Sequence, residues 1–281
     1  KPCCVVYGAL PPETRAQQAK LFNEPGSGYD ILVASDAIGM GLNLNIRRIV
    51  FHTLEKFNGE LMNNIPTSLI KQIAGRAGRR GSLYPEGLVT TFHLSDLPHL
   101  QLCLAQPFID ACNAGLFPSC EQLQIFADHM PNAKFSELLE KFIETSRVDA
   151  FYFLCKNKEL MKIASVIDTV DNLTLEERFT FCFSPVSARD PKSIGALLQY
   201  ARSYSKRIPL QLLIGRPSSS SGIDFQLMDL EDKYKLISLY LWLSQHFPPE
   251  LFPHKKEGEN MSMAIAQTLG QSLTGLHKNT G

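Results

Sequence analysis

The stretch Gln72-Ile73-Ala74-Gly75-Arg76-Ala77-Gly78-Arg79-Arg80 decides how this chain is read. On an α-helix, Gln72, Arg76 and Arg79 stand at i, i+4 and i+7, within an arc of roughly 60°. One amide and two guanidiniums would then leave a single face. Gly75 and Gly78 beside them give room for a second backbone or a phosphate. No acidic residue lies between Lys71 and Arg80 to neutralise the charge. Two planar forks aimed at one point suit the three oxygens of a phosphoryl group in transfer. A solvated basic helix end with a glycine stop would account for a single Gly-Arg pair, but here the pair recurs behind a glutamine.

Working outward, Tyr29 to Ala34 (Y-D-I-L-V-A) predicts a strand apolar on both faces, like the central strand of a parallel sheet. It runs into Ser35-Asp36-Ala37-Ile38-Gly39-Met40-Gly41-Leu42-Asn43, and Arg48 to Phe51 predicts another strand. Ahead of both, Cys4 to Tyr7 is a short β-branched run, and Pro12 suits the first position of a helix carrying Arg15, Ala19 and Phe22. Gly87 to His93 supplies a strand after the arginine segment. Strand, helix, strand, glycine-bearing loop, strand, basic helix, strand is the order of an α/β domain with a doubly wound parallel sheet, over residues 1–95. In such sheets ligands bind at the carboxyl ends of the strands, where Ser35 and Asp36 fall and where Gly39 and Gly41 let a backbone approach a phosphate or sugar. Asn58-Gly59, behind Phe57, signals a hairpin between the third strand and Gln72, with an ordinary surface connection as the alternative.

Beyond residue 95 the apolar spacing turns helical. Ser95 is placed to cap one helix, while Ser119 with Gln122 and Thr174 with Glu177 form capping boxes. Asp190-Pro191 opens another helix, and Phe135, Leu138, Leu139, Phe142 and Ile143 keep helical spacing. The expectation is an all-α region: a helical domain over 96–215, a flexible polar linker over 216–225 around Ser218 to Gly222, and a terminal helical segment over 226–281. In that segment Leu227 to Leu241 is one long buried helix, and Met261 to Leu276 is a last one.

Twenty-eight basic and 28 acidic residues cancel, so no bulk field draws the chain to nucleic acid or membrane. Contact of that kind must come from local patches. Seven cysteines lack zinc spacings, no metal site is expected, and buried thiols in a reducing compartment explain them. No apolar run reaches the roughly 20 residues that span a bilayer. The chain opens on a lysine almost inside a strand, so a natural amino terminus and any targeting peptide are expected to precede it.

S-D-A-I-G-M-G-L-N and Q-I-A-G-R-A-G-R resemble motifs V and VI of superfamily-two helicases of the DExH type, and V-V-Y-G-A-L-P-P-E-T-R resembles motif IV. Within that class the helical part, through Gly115 to Ala127 and Leu239 to Ser244, is similar to the mitochondrial ATP-dependent RNA helicases of the RNA degradosome. This likeness runs from residue 1 to about 253. It implies that residues 1–95 are the second of two RecA-like domains with ATP between them. Arg76 and Arg79 would then be arginine fingers on the γ-phosphate, and Gln72 would position the attacking water. Gly41, Asn43 and Gly75 would lie along the nucleotide, with Asn43 on the ribose. Gly8, Ala9, Ser35 and Asp36 would face RNA phosphates, with Arg15 a weaker candidate. Phe57, Asn58 and Gly59 would form a strand-separating hairpin. ATP and Mg2+ would be the cofactors, single-stranded or overhanging RNA the substrate with DNA as the alternative, and an exoribonuclease (polynucleotide phosphorylase) a partner. Homo-oligomers are allowed, no membrane contact is implied, and the place of work is the mitochondrial matrix, with the nucleus a second one.

One departure from the family pattern bears on activity. No G-x-x-x-x-G-K-[ST] loop and no D-E-x-H/D box occur in these residues. Both are expected on a first domain that this chain lacks. The rival class is a non-catalytic fragment that binds RNA or recruits the exoribonuclease.

Overall fold

The computed structural model describes residues 1–57, 61–81, 83–214 and 223–275. They fall into two compact units, one of residues 1–110 with 266–281 and the other of residues 111–265.

In the first unit, strand β1 (Cys3–Val6) leads through helix α1 (Pro12–Asn23) to β2 (Ile31–Ala34). Pro12 occupies the first turn of α1, where its missing N–H is not needed. A 3-10 turn (Asp36–Gly39) follows, then β3 (Arg48–Phe51), the antiparallel strands β4 (Glu55–Phe57) and β5 (Met62–Asn64), and α2 (Thr67–Ala74). Strand β6 (Leu88–Thr91) and helix α3 (Leu97–Ala105) complete the series. β1 pairs in parallel with β2 from Cys3↔Ile31 to Val6↔Ala34, and β3 with β6 from Arg48↔Leu88 to Phe51↔Thr91. Each parallel pair needs a crossover, supplied by α1 and by α2. This is the expected α/β order.

The sheet itself differs from one continuous doubly wound sheet. Among the described residues the strands form two separate parallel pairs. The outer edge of β1 is covered, because buried Gln18 of α1 accepts the Val5 N–H at 3.0 Å. By contrast β2 leaves Ile31 and Val33 44% and 54% exposed, and β3 leaves Val50 49% exposed. Ile31 and Val33, in the strand expected to be buried on both faces, are therefore open on one.

Two apolar clusters hold this unit together. Phe51, Leu54, Ile70, Ile73, Ala74, Leu100 and Cys103 form one, and Ala19, Leu44 and Ile46 the other; Ile38 and Ile49 pack against both. Leu100 and Cys103 bring α3 onto α2, which is why the first unit runs past residue 95 to 110. Ser95 lies in a 3-10 turn (Leu94–Asp96) and does not cap α3, which begins at Leu97 without a side-chain cap.

The arginine segment is not helical to its end. α2 stops at Ala74, Gly75 is its C-cap, and Ala77 bridges to Ile46 while the Gly78 N–H donates to the Ile46 carbonyl at 2.8 Å. Gly78 has φ +73°, and a Cβ there would lie 2.4 Å from the Gly87 nitrogen. The backbone is thus peeled off the helix axis before Arg76, and Gln72, Arg76 and Arg79 do not share one helical face.

In the second unit α4 (Cys120–Ala127), α5 (Phe135–Thr145), α6 (Lys158–Ile167), α7 (Leu175–Cys182), α8 (Pro191–Ser205) and α9 (Ile223–His246) surround one large core that includes Leu139, Ile163, Phe181, Leu197, Tyr200 and Tyr240. The Ser119/Gln122 and Thr174/Glu177 boxes both form, and the Asp190 carboxylate caps α8. Asp168, at the end of α6, accepts the N–H groups of Phe135 and Ser136 at 3.0 Å each. Arg178 closes the same joint by donating to the carbonyls of Ile167 and Val170. The region is not wholly helical: β7 (Ala114–Leu116) and β8 (Tyr152–Leu154) pair in parallel. Of the expected linker, residues 216–222 lie outside the described residues, and α9 already begins at Ile223.

The last helix, α10 (Lys255–Gly275), is longer than the Met261 to Leu276 reading, and its residues from Ala266 onward belong to the first unit. There buried Thr14 of α1 donates to the Ala266 carbonyl at 2.9 Å, and the α10 stripe Ala266, Leu269, Gly270 and Leu273 is buried. Of the seven free thiols only Cys4, Cys103 and Cys182 are buried, Cys112 being exposed, so burial accounts for fewer cysteines than expected.

Candidate nucleotide and nucleic-acid site

The candidate residues gather at the carboxyl ends of the strands. The Ser35 N–H donates to the Val6 carbonyl at 3.0 Å, which sets Ser35 and Asp36 beside the end of β1 and its exposed Gly8-Ala9 turn. The Ser35 hydroxyl oxygen accepts the Ala37 N–H at 3.3 Å, capping the 3-10 turn and leaving its own O–H to donate elsewhere. Asp36 is ion-paired with Lys56 of β4, so the foot of the hairpin is tied to the loop after β2.

Arg76 is held by the same loop. Its Nε–H donates to the Gly39 carbonyl at 2.8 Å, a second N–H reaches the same oxygen, and Nη1 lies 3.4 Å from the Leu42 carbonyl. The half-buried guanidinium therefore stitches the glycine loop to the end of α2. Gln72 carbons stand where a Gly39 side chain would reach, at 3.7–3.8 Å, so the glutamine lies across that glycine. Arg79 is exposed, and its backbone N–H donates to the Tyr84 carbonyl at 2.8 Å. Gly41, with φ +81°, and Asn43 are exposed on the same loop. Asn23 of α1 clamps that loop through the Asn43 carbonyl and the Asn45 N–H, both at 2.8 Å.

Arg15 sits on α1. Its buried Nε finds no partner among the described residues. Phe57 is 59% exposed and pairs with Met62; Asn58 and Gly59 lie outside the described residues. Sequence reasoning missed Asn23 and Lys56. The first was hidden in a helix with no motif, and the second in a hairpin read for its turn alone. Among the described residues no group of His, Cys, Asp or Glu could hold a metal ion. Burial raises the Cys4 thiol to about 11, the neighbouring Cys3 adding to the effect, which leaves it inert at neutral pH.

An α/β unit with glycine-bearing loops at its strand ends and an arginine-bearing segment laid against them has the build of a RecA-like domain. Residues 1–81 match the helicase conserved C-terminal domain. Residues 162–205 match the Suv3 C-terminal domain 1, and residues 227–275 the ATP-dependent RNA helicase SUV3 C-terminal domain. The chain belongs to the SUV3 family of helicases. It is 53% identical over 271 residues to the ATP-dependent RNA helicase SUV3L, mitochondrial, of Oryza sativa subsp. japonica, covering 96% of this chain and 37% of that protein. Against the ATP-dependent RNA helicase SUPV3L1, mitochondrial, of Homo sapiens it is 43% identical over 260 residues, covering 89% of this chain and 33% of that one. The chain thus spans about a third of the length of these relatives. The likeness also continues to residue 275, past the 253 at which sequence reading ended it.

Proposed function

We propose that this chain is the carboxyl-terminal part of an ATP-dependent RNA helicase that works in mitochondrial RNA surveillance and decay. The observation that carries the proposal is the joint made by Arg76, whose guanidinium fixes the Gly39–Leu42 loop and so holds Gln72, exposed Gly41 and exposed Arg79 on one connected piece of backbone. Arg79 is assigned to the transferring γ-phosphate. Arg76 is assigned to the same phosphate, reached by exchanging its carbonyl partners as the two motor domains close. Gln72 would position the attacking water, and Gly41, Asn43 and Gly75 would line the nucleotide. ATP and Mg2+ supply the phosphoryl group and its counter-charge when bound. Their main ligands are assigned, by the family likeness, to a first RecA-like domain.

RNA is assigned to the carboxyl edge through the Gly8-Ala9 backbone, the Ser35 hydroxyl and the Arg15 guanidinium. Asp36 acts there through Lys56, holding the hairpin that carries Phe57 beside the track. Contacts to phosphate are indifferent to sequence, as translocation requires. An exoribonuclease is the partner this reading implies. The test is RNA-stimulated ATP hydrolysis by the full-length protein. Arg79→Ala should lower it by about 10³–10⁵, and activity within a few-fold of wild type would refute the assignment.

A further inference from the structure

We infer that His52, Phe92 and His93 form a stacking platform for one unpaired base of the RNA strand, at the foot of the β4–β5 hairpin. The inference rests on the reading of the carboxyl edge as the RNA track. His52 is the first residue past β3 and Phe92 the first past β6; Phe51 and Thr91 are partners, and the Phe92 N–H donates to the Phe51 carbonyl at 2.8 Å. The ladder thus delivers both rings to one spot. His52 and Phe92 form an offset stack, with centroids 5.5 Å apart and planes 21° from parallel, and His93 meets Phe92 edge-on at 5.0 Å and 89°. Buried Thr91 donates its hydroxyl to the His93 carbonyl at 2.8 Å, which fixes the bend that turns His93 into the group.

These rings are not core. Phe92 is 65% exposed and joins neither apolar cluster of its unit. The position supplies the occupant. The Asp36–Lys56 pair ties the strand end after β2, where the Ser35 hydroxyl and the Gly8-Ala9 turn suit phosphates, to the hairpin that starts three residues after His52. A strand of RNA held by its phosphates on that edge has a base to place where the hairpin begins. An aromatic face takes any base, so the platform would hold an unstacked nucleotide after separation without reading sequence.

The test uses full-length protein and single-stranded RNA, with a series of oligonucleotides each carrying one abasic site. Wild type should bind one member of the series about 5- to 100-fold more weakly than the intact strand, the worth of one stacked base. Phe92→Ala should bind intact RNA more weakly by a similar factor and no longer distinguish that member. Phe92→Trp should keep the affinity and show fluorescence quenching on RNA binding. If wild type binds RNA but Phe92→Ala binds as well as wild type, the platform is refuted and the cluster is a protein contact. If wild type does not bind RNA at all, the functional reading above falls first.

Discussion

Arg76 and Arg79 are three residues apart and chemically identical, yet the fold gives them different surroundings. Arg76 is half-buried on two carbonyls of the glycine loop, whereas Arg79 is exposed. A lysine cannot reproduce the forked contact. Arg76→Lys should therefore destabilise the first unit by about 1.5–3 kcal/mol, the net worth of bonds to a charged donor. Arg79→Ala should change stability by about 0–1 kcal/mol, and thermal melts of the two variants should separate them. Gly78 is under tighter constraint, with φ +73° and the Gly87 nitrogen 2.4 Å from any Cβ. Gly78→Ala should cost well over about 2 kcal/mol, visible as a lower Tm and loss of the Ile46–Ala77 bridge region from amide protection. The residue types of this segment were legible in the sequence; its path was not. The two glycines read as space on a helix face, and the clamp at Gly87 lies nine positions downstream, beyond any local pattern.

Helix boundaries set by neighbours in sequence were readable, as at Ser119 and Thr174, because a capping box is complete within four residues. The β7–β8 pair and the return of α10 to α1 were not, since their partners lie far along the chain. The Thr174 box also carries a pH signature. Burial alone would raise the Glu177 pKa, but the Thr174 N–H, the Tyr204 hydroxyl and the Arg207 guanidinium outweigh it and hold it below the usual carboxylate range. This stabilisation is present above the unfolded value of about 4.3 and is lost as pH falls through the lower folded value. Glu177→Gln should lower Tm at neutral pH and make it fall less steeply on acidification, as differential scanning calorimetry between pH 3 and 7 would report. The outer edges of β2 and β3 act differently: among the described residues neither has a strand partner, and an edge flanked by exposed Ile31, Val33 and Val50 invites pairing with other chains. This chain alone should self-associate, and Val33→Lys should raise its monomeric fraction in light scattering.

At the scale of the whole molecule, formal neutrality means that binding to a polyanion depends on a few local groups and not on an overall field. The sequence holds no phosphate loop on which Arg76 and Arg79, in the finger role proposed for them, could act. The isolated chain should hydrolyse ATP no faster than buffer, whether or not RNA is added. Turnover that Arg79→Ala abolishes would contradict this. Supplying the amino-terminal motor domain in trans should restore a measurable rate.

The residues of α10 that pack on α1 are the last part of the first unit to be made. Until they leave the ribosome, the Thr14 hydroxyl lacks its acceptor and one flank of α1 faces water. At translation speeds of about 5–20 residues per second, the opening α/β unit waits roughly ten to thirty seconds while the helical unit is synthesised. A ribosome that stops short of Ala266 therefore leaves a wounded first unit, although every residue proposed for its site has already been translated.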